Sequence, residues 1–296
     1  MGQRTTIGIA TLAALGCAAG AFYWVHSKGE PRFPEVVSRE PPGFRQPPPA
    51  ANLADVLPGK SSKPTDAKKS APPVDTSLPL KAGEILEYSA SVSKVSSVAN
   101  LKVQIAGRGN FSGKSAWHLQ AFAHTQNPLR MVFELDDQFD SYSDAGTLVS
   151  LQYEMHLSER GQKVESVQRM TATGKEPAPE GATEARVLPG TRDPLGIMQY
   201  LRCVDWAKTP EVSGPVYDGH KLYEVRAKMA GASESVTVPL GKYSASKIEI
   251  RVLDNGVEMK DAAFTLYLAN LPARTPVLLE ATLPFASARV ELVKAK

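Results

Sequence analysis

Short runs that alternate apolar and charged residues constrain this chain most. Lys102-Val103-Gln104-Ile105, Tyr223-Glu224-Val225-Arg226-Ala227-Lys228-Met229 and Lys247-Ile248-Glu249-Ile250-Arg251-Val252 each repeat with a period of two. Side chains on a strand point alternately to opposite faces, so each run has one apolar and one wet face. Strands of this kind belong to antiparallel sheets with one face on a core.

Turn residues set the connections. Asn255-Gly256 follows Asp254 and joins a strand over 246–253 to one over 257–269, because both central residues of a tight hairpin take positive φ. Asp218-Gly219 precedes a strand from Lys221 to Met229, and Glu159-Arg160-Gly161-Gln162 turns between 151–158 and 163–171. Residues 81–296 thus read as about a dozen strands in a long antiparallel meander, curled into a barrel or half-barrel that limits its edges. One segment breaks the pattern. Asp193 is an N-cap residue, Pro194 suits the first helical position, and Leu195, Met198 and Leu201 share a face, which predicts a short helix over about 193–206. Its apolar face is expected to cover one end or side of the sheet. The preceding stretch 173–190, rich in Pro, Gly, Glu and Ala, reads as a loop.

The amino-terminal part is of another kind. Ile7 to Val25 holds 19 residues without a charge, about 28 Å as a helix against a hydrocarbon core of about 30 Å. Three readings stay open: an uncleaved anchor with Phe22, Tyr23 and Trp24 as an interfacial belt, a signal peptide cut after the small-x-small Ala19-Gly20-Ala21, or lipidation at Cys17. All three make residues 1–29 an export segment. The first leaves the amino terminus in the cytoplasm and the domain in the periplasm, held by a bacterial inner membrane; cleavage releases the domain into the periplasm. Residues 30–80 form a linker, with 12 of the chain's 23 prolines between Pro31 and Leu80. They have too few large apolar residues for ordering by burial. The short apolar islands near Val36 and from Leu53 to Leu57 read as part of it.

Charge excludes one class of partner. Residues 81–296 carry 25 Lys and Arg against 25 Asp and Glu, so the net excess of +3 lies in the leader and linker. A neutral domain without a basic cluster lacks the footprint of a nucleic-acid binder. With Cys203 its sole cysteine, this domain forms no internal disulfide and is held by its core.

Four short motifs occur in order along the chain: Ala82-Gly83-Glu84-Ile85-Leu86-Glu87-Tyr88, Phe139-Asp140-Ser141-Tyr142-Ser143-Asp144, Asp193-Pro194-Leu195 with Tyr200-Leu201-Arg202, and Val216-Tyr217-Asp218-Gly219-His220-Lys221-Leu222-Tyr223. Together they resemble DUF3108, a family of exported bacterial proteins of unknown function. Pro276 to Leu292, with Leu283-Pro284-Phe285, is similar to the family's closing hairpin. The resemblance implies a β-rich exported domain over 81–296 and no activity.

No nucleophile elbow, phosphate loop, zinc motif or other cofactor signature occurs, so no cofactor is expected and a binding role is favoured over an enzyme. His118 and His124 share a strand face but stand about 20 Å apart, too far to share a metal. Glu134, Asp136, Asp137, Asp140 and Asp144 form the densest charge cluster, read as a solvated rim or edge. An inner face of Val103, Ile105, Trp117, Phe122, Phe133, Tyr153, Tyr223, Ile250 and Phe264 either fills the core or lines a cavity for an apolar, lipid-like ligand. The leading expectation is a non-enzymatic, membrane-tethered envelope module that binds such a ligand. The alternatives are a structural protein that contacts an envelope partner through a sheet edge or patch, and, further off, a hydrolase of envelope polymers with perturbed carboxylates near 136–144.

Overall fold

The computed structural model describes residues 78–172, 183–282 and 286–296. The export segment 1–29 and nearly all of the linker lie outside it. Thirteen strands form a single sheet in the order β7-β6-β5-β4-β3-β2-β1-β13-β12-β11-β10-β9-β8. In chain order these are β1 (Ile85–Val92), β2 (Val95–Phe111), β3 (Lys114–Thr125), β4 (Asp136–Asp144), β5 (Ser150–Glu159), β6 (Gln162–Thr171), β7 (Thr183–Arg186), β8 (Glu211–Tyr217), β9 (Leu222–Val238), β10 (Gly241–Asp254), β11 (Val257–Ala269), β12 (Pro276–Thr282) and β13 (Ser287–Ala295). Neighbours are antiparallel except β6 and β7. The expected meander is present, with its first and last strands paired in the middle of the sheet.

The sheet curls without closing. Residues 187–193 cross the gap between its edges: Val187 N–H donates to Thr171 O, Ser150 N–H donates to Thr191 O, and Arg192 exchanges backbone bonds with Pro215 and Tyr217 of β8. Part of the stretch read as a loop is therefore structural. Residues 183–186 pair as β7, and 173–182 lie outside the described residues.

Helix α1 (Pro194–Cys203) follows the gap segment. Asp193 caps it as expected, its carboxylate accepting from the Gly196 N–H at 2.8 Å. It ends three residues before the predicted Trp206, because Val204 is extended (φ −63°, ψ 131°). It packs against one side of the sheet, as expected. Eight of its ten residues are buried, since that side is the concave one, inside the curl. Leu195 and Met198 pack with Leu101, Leu119, Phe139 and Tyr153, whereas Ile197 and Leu201 pack with Val216, Val225, Ile248 and Phe264. The helix is thus the wedge between two halves of one core.

Gly196 makes that position reachable. A Cβ there would stand 3.0 Å from Ser150 Oγ and 3.2 Å from both Leu148 O and Ser143 Oγ. A side chain there would force these neighbours back by a few tenths of an ångström, so glycine suits the close approach of the first turn of α1 to β4 and β5.

Candidate functional site

An apolar cleft separates α1 from the floor of the sheet. Ile197, Met198 and Leu201 form its roof, and its floor is Tyr88, Leu101, Val103, Ile250, Phe264, Leu266 and Val290 with Pro276, Leu278 and Leu279 of β12 between them. It is partly open to solvent and leaves about 60 Å³ for the centres of water-sized molecules. Its one phenol is occupied, because Tyr88 Oη–H donates to Pro276 O at 2.9 Å.

Both ends of α1 are fixed by buried polar contacts. At the amino end, Ser141 and Ser150 hydroxyls each donate to Asp193 Oδ2 at 2.5 Å. Burial pushes the Asp193 carboxyl up, and these hydroxyls and the helix N–H groups pull it back only in part. At the other end, the fully buried Arg202 guanidinium donates to Glu84 at 2.7 and 2.9 Å, to Gln199 Oε1 at 2.8 Å and to Ala273 O at 2.9 Å. Glu84 begins the chain's path into β1, so this cluster ties the helix to the sheet centre.

Three of the nine residues expected to form a lining do line the cleft: Val103, Ile250 and Phe264. Ile105, Trp117, Phe133, Tyr153 and Tyr223 are buried in the core away from it. Phe122 is a correction. It is half-buried on the convex face, with Lys102 Nζ 4.1 Å from its ring centroid. Trp117 and Phe122 are five positions apart on one strand, so they face opposite ways. Leu101 and Val290 lie on the inner face and were within reach of the same parity rule. The helical roof was not, because covering one end or side of the sheet did not say which strands α1 would face.

The acidic cluster is a second correction, since β4 is an interior strand and its carboxylates are not all solvated. On the convex face, Asp140 receives hydrogen bonds from His118 (2.6 Å), Gln120 (2.7 Å) and Gln138 (2.7 Å). Burial raises this carboxyl, and those three bonds outweigh it and hold it below the ordinary range. His156 sits between Glu154, 3.4 Å from Nε2, and Glu165, bonded to Nδ1. Its bond to Glu154 raises it, burial opposes, and Glu165 adds to the rise, which takes it to about 9. Asp137 points inward and is pushed up to about 7 by burial and by Glu159, against the N–H of Ser158. Among the described residues no group of three or more His, Cys, Asp or Glu is placed to hold a metal ion. Cys203 is a free, half-buried thiol pushed up to about 11 by burial.

These values carry a pH dependence. A folded-state pKa above the unfolded one gives stability that is complete below the unfolded value and fades as pH rises through the folded value. Asp137 loses its contribution between about 4 and 7, and His156 between about 6.5 and 9. Asp137→Asn, which cannot ionise, is expected to be more stable than wild type at pH 8.5 by on the order of 2–4 kcal/mol and nearly equal to it at pH 4. Urea unfolding at the two pH values checks this; equal midpoints at pH 8.5 would show that the ionised carboxylate is solvated.

A meander curled around one buried helix defines a barrel-like β protein whose described surface shows an apolar cleft and no metal centre. The sequence model for "Protein of unknown function (DUF3108)" matches residues 87–293, and the chain belongs to that family. No curated protein matches it. Similar solved structures include a β-barrel-like protein of the domain of unknown function DUF1849 from Brucella abortus, with 12% identity, TM-score 0.46, and 72% of this chain and 96% of that one covered. A protein with a YmcC-like fold from Bacteroides fragilis gives 10% identity and TM-score 0.34, with 74% and 98% covered. No helix among the described residues is long and apolar enough to cross a membrane; the run 7–25 lies outside them.

Proposed function

We propose that this chain is a non-enzymatic module of the bacterial envelope, tethered in the periplasm by residues 1–29, whose cleft under α1 takes up the end of an acyl chain. The observation that carries this reading is the cleft's lining: thirteen residues, none of them charged, and the phenol already bonded. That lining also argues against the hydrolase, since the perturbed carboxylate Asp137 does not border the cleft.

Magnitudes limit what the closed form holds. About three methylenes at about 0.8 kcal/mol each fall short of the ~4 kcal/mol needed for millimolar affinity. A longer chain therefore requires α1 to lift from the sheet. The expected result with full-length protein is saturable fluorescence of the polyene fatty acid cis-parinaric acid at micromolar concentration. Val103→Phe, which fills the floor, is expected to weaken it at least tenfold while far-ultraviolet dichroism stays unchanged. No saturation in wild type, or equal binding by the variant, would sink the reading. The rival role as a scaffold for a protein partner is supported by how much of the interior α1 already fills; a bare intact mass under native conditions would favour it.

A further inference from the structure

The hairpin turns at one end of the sheet carry the three most exposed large apolar side chains among the described residues: Met131 (82%), Val132 (71%) and Val257 (70%). Val95, 53% exposed, stands at the same end. The register fixes this placement. Val92 pairs with Val95 at the β1–β2 turn, Gln126 N–H of the β3–β4 connection donates to Val98 O, and Asp254 pairs with Val257 at the β10–β11 turn. We propose that this rim is a membrane-contacting surface, which seats Val95, Met131, Val132 and Val257 in the interface of a lipid bilayer. The proposal rests on the tethered reading given above, which keeps a bilayer within reach.

Spacing and charge decide the kind of partner. The turns are two, four and six strands apart in the sheet, about 10–30 Å at 4.8 Å per strand, so the apolar tips are separate points and not one patch. Separate points suit a deformable lipid surface better than a shaped protein pocket. The charges behind them balance: Arg130 pairs with Glu134 and Asp136, each at 2.7 Å, Lys221 with Asp254 at 2.6 Å and Arg251 with Glu258 at 3.8 Å, and the exposed Lys94 beside Val95 offsets the second carboxylate on Arg130. A rim neutralised in this way has no preference for anionic lipid, and its contact is insensitive to salt.

The tether makes weak contact sufficient. The chain enters at the opposite end, where Gly83 N–H donates to Ile105 O beside the start of β1. Residues 31–80 number fifty, enough chain to let the domain turn over, and tethering raises the effective concentration of the rim at the bilayer. Insertion of a few apolar tips is then enough to keep the rim at the surface for much of the time.

The test uses the full chain with Cys17→Ala and Cys203→Ala, carrying an NBD fluorophore at Val257→Cys, in vesicles of phosphatidylethanolamine and phosphatidylglycerol at three to one. The expected result is about a threefold rise in emission, quenched by nitroxide-labelled lipid and equal at 50 and 500 mM salt. A label at Leu271→Cys, at the opposite end, stays in water. No rise at 257, or an equal rise at 271, would overturn the proposal. So would burial of the label in native envelope membranes but not in vesicles, which would identify a protein partner. If alkaline carbonate strips the chain from vesicles, an uncleaved anchor at residues 7–25 is excluded by that result alone. The same label at millimolar lipid then reads the rim alone.

Discussion

Replacing Arg202 by Ala is expected to lower the free energy of unfolding by about 3–5 kcal/mol, among the largest effects available to a single substitution in this chain. The guanidinium is fully buried, and its loss leaves Glu84, only 11% exposed at the side chain, without its counter-charge. Gln199 and the Ala273 carbonyl lose a donor in the same step. Replacing both members of the pair by Leu is expected to cost much less than Arg202→Ala, because no buried charge is then stranded. Denaturant unfolding followed by tryptophan fluorescence measures both. A cost under about 1 kcal/mol for Arg202→Ala would mean that Glu84 swings out to water.

Asp193→Ala comes next, with an expected cost of about 2–4 kcal/mol. It removes a helix cap and leaves the Ser141 and Ser150 hydroxyls without their shared acceptor in a site that excludes water. Asp193→Asn keeps an acceptor for Gly196 and avoids burying a charge, so it is expected to lose less than half as much. At about 2–4 °C per kcal/mol for a domain of this size, the Ala variant melts roughly 5–15 °C lower. Equal melting of the two variants would show that the carboxylate itself, and not the cap, holds the site together.

Much of the fold was legible in the residues, for local reasons. Alternation marked the strands, Asn255-Gly256 and Asp218-Gly219 placed their hairpins, and Asp193-Pro194 placed the start of α1. What failed depended on long-range packing. β2 runs on to Phe111 through a bulge between Ile105 and Gly107, well past the alternating run 102–105. Residues 183–186 became a strand because β6 offered an edge, which their composition did not signal. The cleft was legible only in part, since half of a cavity belongs to whatever covers it. Val103, Ile250 and Phe264 followed from strand parity, whereas Ile197, Met198 and Leu201 line it because α1 sits inside the curl. Asp137 and Asp140 looked like rim charges because sequence does not say which strand ends at an edge.

The pairing of β1 with β13 makes the order of synthesis matter. Ala90 lies opposite Val290 and Leu86 opposite Ala295, so this seam is the strand pairing that joins the two halves of the sheet among the described residues. A chain still being made can assemble β1–β7 from near neighbours, but the half built from β8–β12 has no strand linking it to that half until β13 arrives. Loss of Ser287–Ala295 would leave two sheets with bare edges, open to proteases and to pairing with other chains. Assembly of the sheet thus waits on β13, and copies without it expose unpaired backbone on both halves.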